Sequence, residues 1–187
     1  MNKHYISAHA LLEDSFRLAA MILRSGYRPD CIIGIWRGGT PVGIAVQEYL
    51  AYRGMNTRHF AIATSSYTGI GQQEAEVKVI GLQQIADGAA ADDRLLLVDD
   101  VFDSGRSMKA VVDRIHEQSP GEAGQTVRIA CPWYKPARNR TGIRPDFFLY
   151  ETDDWLVFPH ELVGLTAAEI RNGKGDLADI IDSLELG

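Results

Sequence analysis

Cysteine is scarce in this chain, with two among 187 residues. Cys31 and Cys131 both sit inside apolar runs, which excludes a disulfide-stapled fold and reads as two buried thiols. Long hydrophobic stretches are missing too. No apolar run approaches the roughly 20 residues that span a bilayer, and Met1-Asn2-Lys3-His4-Tyr5 lacks the apolar core of a signal peptide. The expected setting is therefore the cytoplasm, with no membrane partner. Positive charge is in deficit, with 19 Lys and Arg against 25 Asp and Glu and a formal net charge of −6. That balance argues against a nucleic-acid binder. No repeat, low-complexity tract or proline-rich linker divides the chain, and its length suits one domain.

What is present is an alternation of apolar runs and helical patterns. Ser7 to Arg24 places Leu11, Leu12, Phe16, Ala19, Ala20 and Leu23 at helical spacing, with Gly26 past the end. Cys31 to Trp36 reads as a buried strand. Thr40-Pro41 reads as a capping hydroxyl before a proline at the first helical position, with the helix running to Arg53 and Gly54 closing it. Thr57 to Ala63, Val77 to Leu82, Arg94 to Val98 and Val127 to Cys131 read as strands, the last ended by Pro132. The order predicts an α/β fold, with a mostly parallel central sheet flanked by helices. Ligands in such sheets bind at the carboxyl ends of the strands.

The densest chemistry lies in Leu95 to Ser107, Leu-Leu-Leu-Val-Asp-Asp-Val-Phe-Asp-Ser-Gly-Arg-Ser. A short buried strand ends in two carboxylates, Asp99 and Asp100. Then Asp103, Ser104, Gly105, Arg106 and Ser107 lead into a helical run from Met108 to Gln118. Free backbone N–H groups at a helix start, aided by serine hydroxyls, cradle a phosphate. Two carboxylates beside a phosphate site repel the ligand unless they hold hydroxyls or a cation. A ribose diol and Mg²⁺ meet both conditions, so the expected ligand is a sugar phosphate with a metal.

Val98 to Ser107 resembles the phosphoribosyl diphosphate (PRPP) motif of type I phosphoribosyltransferases. The resemblance implies that family's fold, with a small hood over the base pocket. The core would span roughly residues 28–135 of a single 1–187 domain, with the hood formed by the N-terminal segment and roughly 136–165. It implies that Asp99 and Asp100 hold the ribose hydroxyls, with a share in binding Mg²⁺. Asp103 to Ser107 would wrap the 5′-phosphate, with Asp103 also serving as a general base. Gly34 to Pro41 resembles the family's pyrophosphate loop, in which Arg37, Gly38 and Gly39 receive the anion and the Trp36–Arg37 peptide is cis. Thr64 to Gln73 reads as a polar loop, and Ser66-Tyr67 resembles the mobile-loop dipeptide of purine transferases.

Tyr134-Lys135-Pro136 and Asp153 to Val157 resemble the base pocket of 6-oxopurine transferases, in which Lys135 donates to the purine O6, Trp155 stacks and Leu156 lines the base. An ammonium donates but cannot accept, so it selects an oxo group over an amino group. Glu161 falls where some relatives carry a second acidic residue near metal and pyrophosphate. Asn139 and Arg140 suit either solvent or a subunit contact. The implied activity is Mg²⁺-dependent transfer of phosphoribose from PRPP to hypoxanthine, guanine or xanthine in purine salvage. The products would be the nucleoside 5′-monophosphate and pyrophosphate, and the protein a homo-oligomer. The rival readings are a PRPP-sensing regulator on the same fold and a transferase for another base.

Overall fold

A computed structural model describes residues 3–67, 76–81, 83, 92–118 and 126–183. The chain divides into two compact units, one of Met1–Leu11 with Asp154–Gly187 and one of Leu12–Asp153.

The larger unit carries the sheet. In chain order the elements are β2 (Cys31–Trp36), α2 (Gly39–Tyr52), β3 (Arg58–Tyr67), β4 (Glu76–Ile80), β5 (Arg94–Val98), β6 (Val101–Phe102), α3 (Arg106–Gln118), β7 (Thr126–Tyr134) and β8 (Phe147–Glu151). The strand order is β4-β3-β2-β5-β7-β6, with β8 also paired to β7. All pairs are parallel except β3 with β4.

β2 and β5 are apolar throughout because both faces of the sheet are covered. On one face, Cys31, Ile33, Leu95, Leu97 and Ile129 meet Met108, Val111 and Ile115 of α3. On the other, α2 buries Val42, Ala45, Val46 and Leu50. Each fully buried aliphatic side chain contributes about 1.5–3 kcal/mol, so this two-sided burial dominates over the exposed ion pairs at the rim.

The structure corrects the sequence reading in three places. Helix α2 starts at Gly39 with Gly38 as its N-cap, and no side chain caps it; Thr40 already lies inside the helix, and its Oγ1 is buried without a hydrogen-bond partner among the described residues. Thr64 to Tyr67 are strand, not loop, and pair with Val79 to Glu76. The following residues, 68–75, lie outside the described set, as do the side chains of Ser66 and Tyr67. Pro132 does not end β7, which continues to Tyr134. It falls between Ala130, paired with Val98 of β5, and Trp133, paired with Val101 of β6.

The smaller unit holds β1 (Lys3–Tyr5), β9 (Trp155–Val157), α4 (Ala167–Gly173) and α5 (Asp176–Ser183). β1 and β9 pair in parallel. Thr166 and Glu169 form a capping box at α4, and Lys3 Nζ pairs with Glu169 at 2.5 Å. The buried Lys174 donates to the Phe158 carbonyl at 2.5 Å. Helix α1 (Ala8–Arg24) runs through the division between the units, with the Ser7 hydroxyl accepting from Ala10 N at 3.1 Å. Among the described residues no helix is long and apolar enough to cross a membrane.

Candidate active site

The acidic pair sits where β5 runs out. Asp99 N donates to the Ala130 carbonyl at 3.1 Å, a last link to β7, and Asp100 N donates to Asp99 Oδ1 at 3.0 Å. Burial, and then the adjacent Asp100 charge, push the Asp99 carboxyl well above the ordinary aspartate range. Two carboxylates held this way call for hydroxyls or a cation.

The Gly38-Gly39 turn packs flush on this pair. A Cβ on Gly38 would run into the Asp100 carboxylate, and one on Gly39 into the Val98 carbonyl and the Asp99 backbone. The Trp36–Arg37 peptide is cis, as the loop's resemblance implies. Arg37 is exposed beside this turn. The β2 loop and the β5 loop are therefore brought into contact, although they are separated in the chain by α2, β3 and β4.

The third piece is the turn from Asp103 to Ser107. Gly105 takes φ +77°, a conformation that favours glycine, and its α-carbon faces Phe102 and Thr141 so closely that a Cβ would lie 2.6–2.7 Å from them. Helix α3 begins at once, with Lys109 N donating to the Gly105 carbonyl at 2.9 Å. Above this helix start lies a cavity of about 290 Å³, lined by Asp103, Ser104, Arg106, Ser107, Arg138 and Arg140. The last two arginines were not among the residues expected to form the site. They come from the segment after β7, where a 3₁₀ turn, Pro136–Arg138, follows Lys135. Asn139 pins that segment: its Nδ2 donates to Ile143 O at 2.8 Å, and its Oδ1 accepts from Thr141 N at 2.9 Å. Arg140 N donates to the Ser104 carbonyl at 2.9 Å. Asn139 and Arg140 thus build the loop rather than standing apart from it.

Lys135 is 4% exposed. Its Nζ lies 3.3 Å from Asp103 Oδ2, and Arg138 Nε lies 2.8 Å from Asp103 Oδ1. Each oxygen of Asp103 therefore has its own cationic partner.

The remaining expected residues lie in the smaller unit. Trp155 is half exposed, with Lys3 Nζ 5.8 Å from its ring centroid, and Leu156 is buried. Glu161 Oε2 accepts from Phe158 N at 3.0 Å, closing a turn. A larger cavity, about 360 Å³, lies between α2 and β3. Ile32, Ile44 and Phe60 line it and none of the expected site residues does. It therefore lacks the anion donors that the loops supply.

A parallel sheet with a helix-start phosphate cradle and an acidic pair at its carboxyl edge defines a class of phosphosugar-binding α/β proteins. Residues 2–162 match the family model described as the phosphoribosyl transferase domain, and the chain belongs to that family. It is a phosphoribosyltransferase with the type I fold. It is 25% identical over 168 residues to the human phosphoribosyltransferase domain-containing protein 1, covering 86% of this chain and 72% of that protein. Against the hypoxanthine-guanine phosphoribosyltransferase of Lactococcus lactis it is 26% identical over 149 residues, covering 79% and 75%. The crystal structure of a purine phosphoribosyltransferase from Pyrococcus horikoshii superposes with a TM-score of 0.69 at 26% identity, covering 89% of this chain and 99% of that one.

Proposed function

We propose that this protein transfers the 5-phosphoribosyl group from PRPP to a 6-oxopurine, releasing pyrophosphate and the nucleoside 5′-monophosphate. The observation that carries this reading is the 3.3 Å separation of Lys135 Nζ and Asp103 Oδ2. The O6 and N7 of a 6-oxopurine stand side by side on one edge of the base, an acceptor next to a proton-bearing nitrogen. A fixed ammonium beside a fixed carboxylate is the complementary pair. Adenine would turn its amino group toward the lysine and leave both donors without an acceptor. The kinship to purine transferases supports the same choice.

In this reading the Asp103 to Ser107 turn, with its backbone donors and serine hydroxyls, holds the 5′-phosphate. Asp99 and Asp100 hold the ribose hydroxyls, and Arg37, Gly38 and Gly39 receive the pyrophosphate. Asp103 accepts the N7 proton as N9 attacks C1 of the ribose. Ser66 and Tyr67 belong to the segment that keeps water from the reacting centre. Trp155 and Leu156 contribute base contacts, and Glu161 an acidic group, by the resemblance alone.

The acidic pair also fits Mg²⁺. This cation takes one or two carboxylates together with substrate oxygens and water rather than a protein-only cage. Among the described residues no cluster of three or more His, Cys, Asp or Glu forms such a cage. Bound there, Mg²⁺ would supply positive charge to the departing pyrophosphate.

The test is nucleotide formation from PRPP with hypoxanthine, guanine, xanthine, adenine, orotate and uracil offered separately. Turnover confined to the first three is expected. Tight PRPP binding with no turnover on any base would favour a regulator on this fold instead.

A further inference from the structure

Arg138 stands between two parts of the site. Its Nε is committed to Asp103 Oδ1 at 2.8 Å, and the same side chain lines the phosphate cavity. Three arginines, Arg106, Arg138 and Arg140, line that cavity together with Asp103. A lining rich in arginine suits a phosphomonoester, which carries about −1.5 to −2 at neutral pH. A guanidinium has five donors in a fixed fork, so one arginine can hold a carboxylate and meet a phosphate at once. The backbone beneath it is fixed. Arg138 N donates to Lys135 O at 3.1 Å, and Asn139 and Arg140 are tied as described above.

We propose that Arg138 is a positioning residue that couples phosphate binding to base binding through Asp103. It rests on the reading of the cavity as the 5′-phosphate site and of Asp103 with Lys135 as the base-edge pair. With the cavity empty, Lys135 and Arg138 both neutralise Asp103. A phosphate in the cavity draws on the Arg138 charge. Asp103 is then the less satisfied acceptor, and it takes the purine N7–H more strongly while Lys135 turns a donor to O6. Phosphate and base should therefore bind with positive cooperativity.

The experiment is calorimetric titration of guanine or hypoxanthine into the full chain, with and without saturating ribose 5-phosphate. Ribose 5-phosphate should tighten base binding by at least about fivefold, the low end of measured couplings. In Arg138→Met that factor should fall below about twofold, although ribose 5-phosphate still binds through Ser104, Ser107 and Arg140. Arg138→Lys should restore part of it. Arg140→Met should weaken ribose 5-phosphate yet leave the factor intact. A purely structural role for Arg138 would change both affinities without changing their ratio. About half of the Arg138 side-chain surface is exposed, so these variants should fold. The coupling role alone is overturned if Arg138→Met keeps the wild-type factor, or if Arg140→Met loses it equally. Wild-type protein that binds ribose 5-phosphate and no purine base would overturn the purine reading and the coupling with it.

Discussion

Asp99 carries a cost for which the proposed ribose site accounts. Its carboxyl is raised by burial and by Asp100, so the folded chain binds this proton more tightly than the unfolded chain does. Stability from this group is therefore greatest at low pH and declines as pH rises from the ordinary aspartate range through the raised value. Asp99→Asn should raise the melting temperature at pH 7 to 8 more than at pH 4, while PRPP binding is lost. An equal change at both pH values would show that Asp99 is not the strained group. At Lys135 the expectation is the opposite kind. Lys135→Ala removes a charge-assisted hydrogen bond, which should weaken 6-oxopurine binding by about 1.5–3 kcal/mol and leave PRPP affinity nearly unchanged. A base panel run on that variant checks it, since an intact preference for oxo over amino purines would remove Lys135 from the pocket.

At the scale of elements, the turn between β6 and α3 is held by Gly105. A side chain there meets Phe102 and Thr141 and must adopt φ +77°. Gly105→Ala should destabilise the protein by about 1–3 kcal/mol, the usual cost of forcing atoms into packed space. The urea midpoint reports that loss, and the KM for PRPP should rise with it. This turn was legible in the sequence because its donors are consecutive residues, and local order in the chain is local order in space. The acidic pair and the Gly38-Gly39 turn were legible for the same reason. Arg138 was not, because its partner, Asp103, is supplied by how β7 and its following turn lie against β6. Thr40 misled because a hydroxyl before proline is a common helix start, whereas this helix begins two residues earlier, at Gly39, where the backbone packs closely on Asp99. The polar run Thr64 to Ser66 misled because here β3 has passed its last partner on β2, Ala63 opposite Trp36, and pairs only with the antiparallel β4, where polar residues are tolerated. β1 has three residues, too few to show any period.

For the molecule as a whole, two carboxylates report on acid stability, one in each unit. Arg94 hydrogen bonds hold Asp30 down at about 2, and Lys3 holds Glu169 at about 2. In both cases the folded value lies below the unfolded one. Their stabilisation is present above roughly pH 4, the ordinary carboxylate range, and is lost as pH falls toward 2. Asp30→Asn and Glu169→Gln should each reduce the fall in stability between pH 5 and pH 2.5, followed by circular dichroism melts. If Glu169→Gln alters one step of a two-step melt and Asp30→Asn the other, the two units unfold separately. A single shared transition that both variants move would show that they unfold together.

Pro132 has a consequence for the shape of the sheet. It stands where β7 exchanges β5 for β6 as its neighbour, and the opening left between those two strands is filled by Asp99 and Asp100. A strand changing neighbours ordinarily strands an amide hydrogen at the changeover. Proline has none, so the changeover leaves no amide hydrogen at residue 132 in need of an acceptor. The seam that looks like an interruption of the sheet is also where the chain sets down its acidic pair, between Val98 of β5 and Val101 of β6.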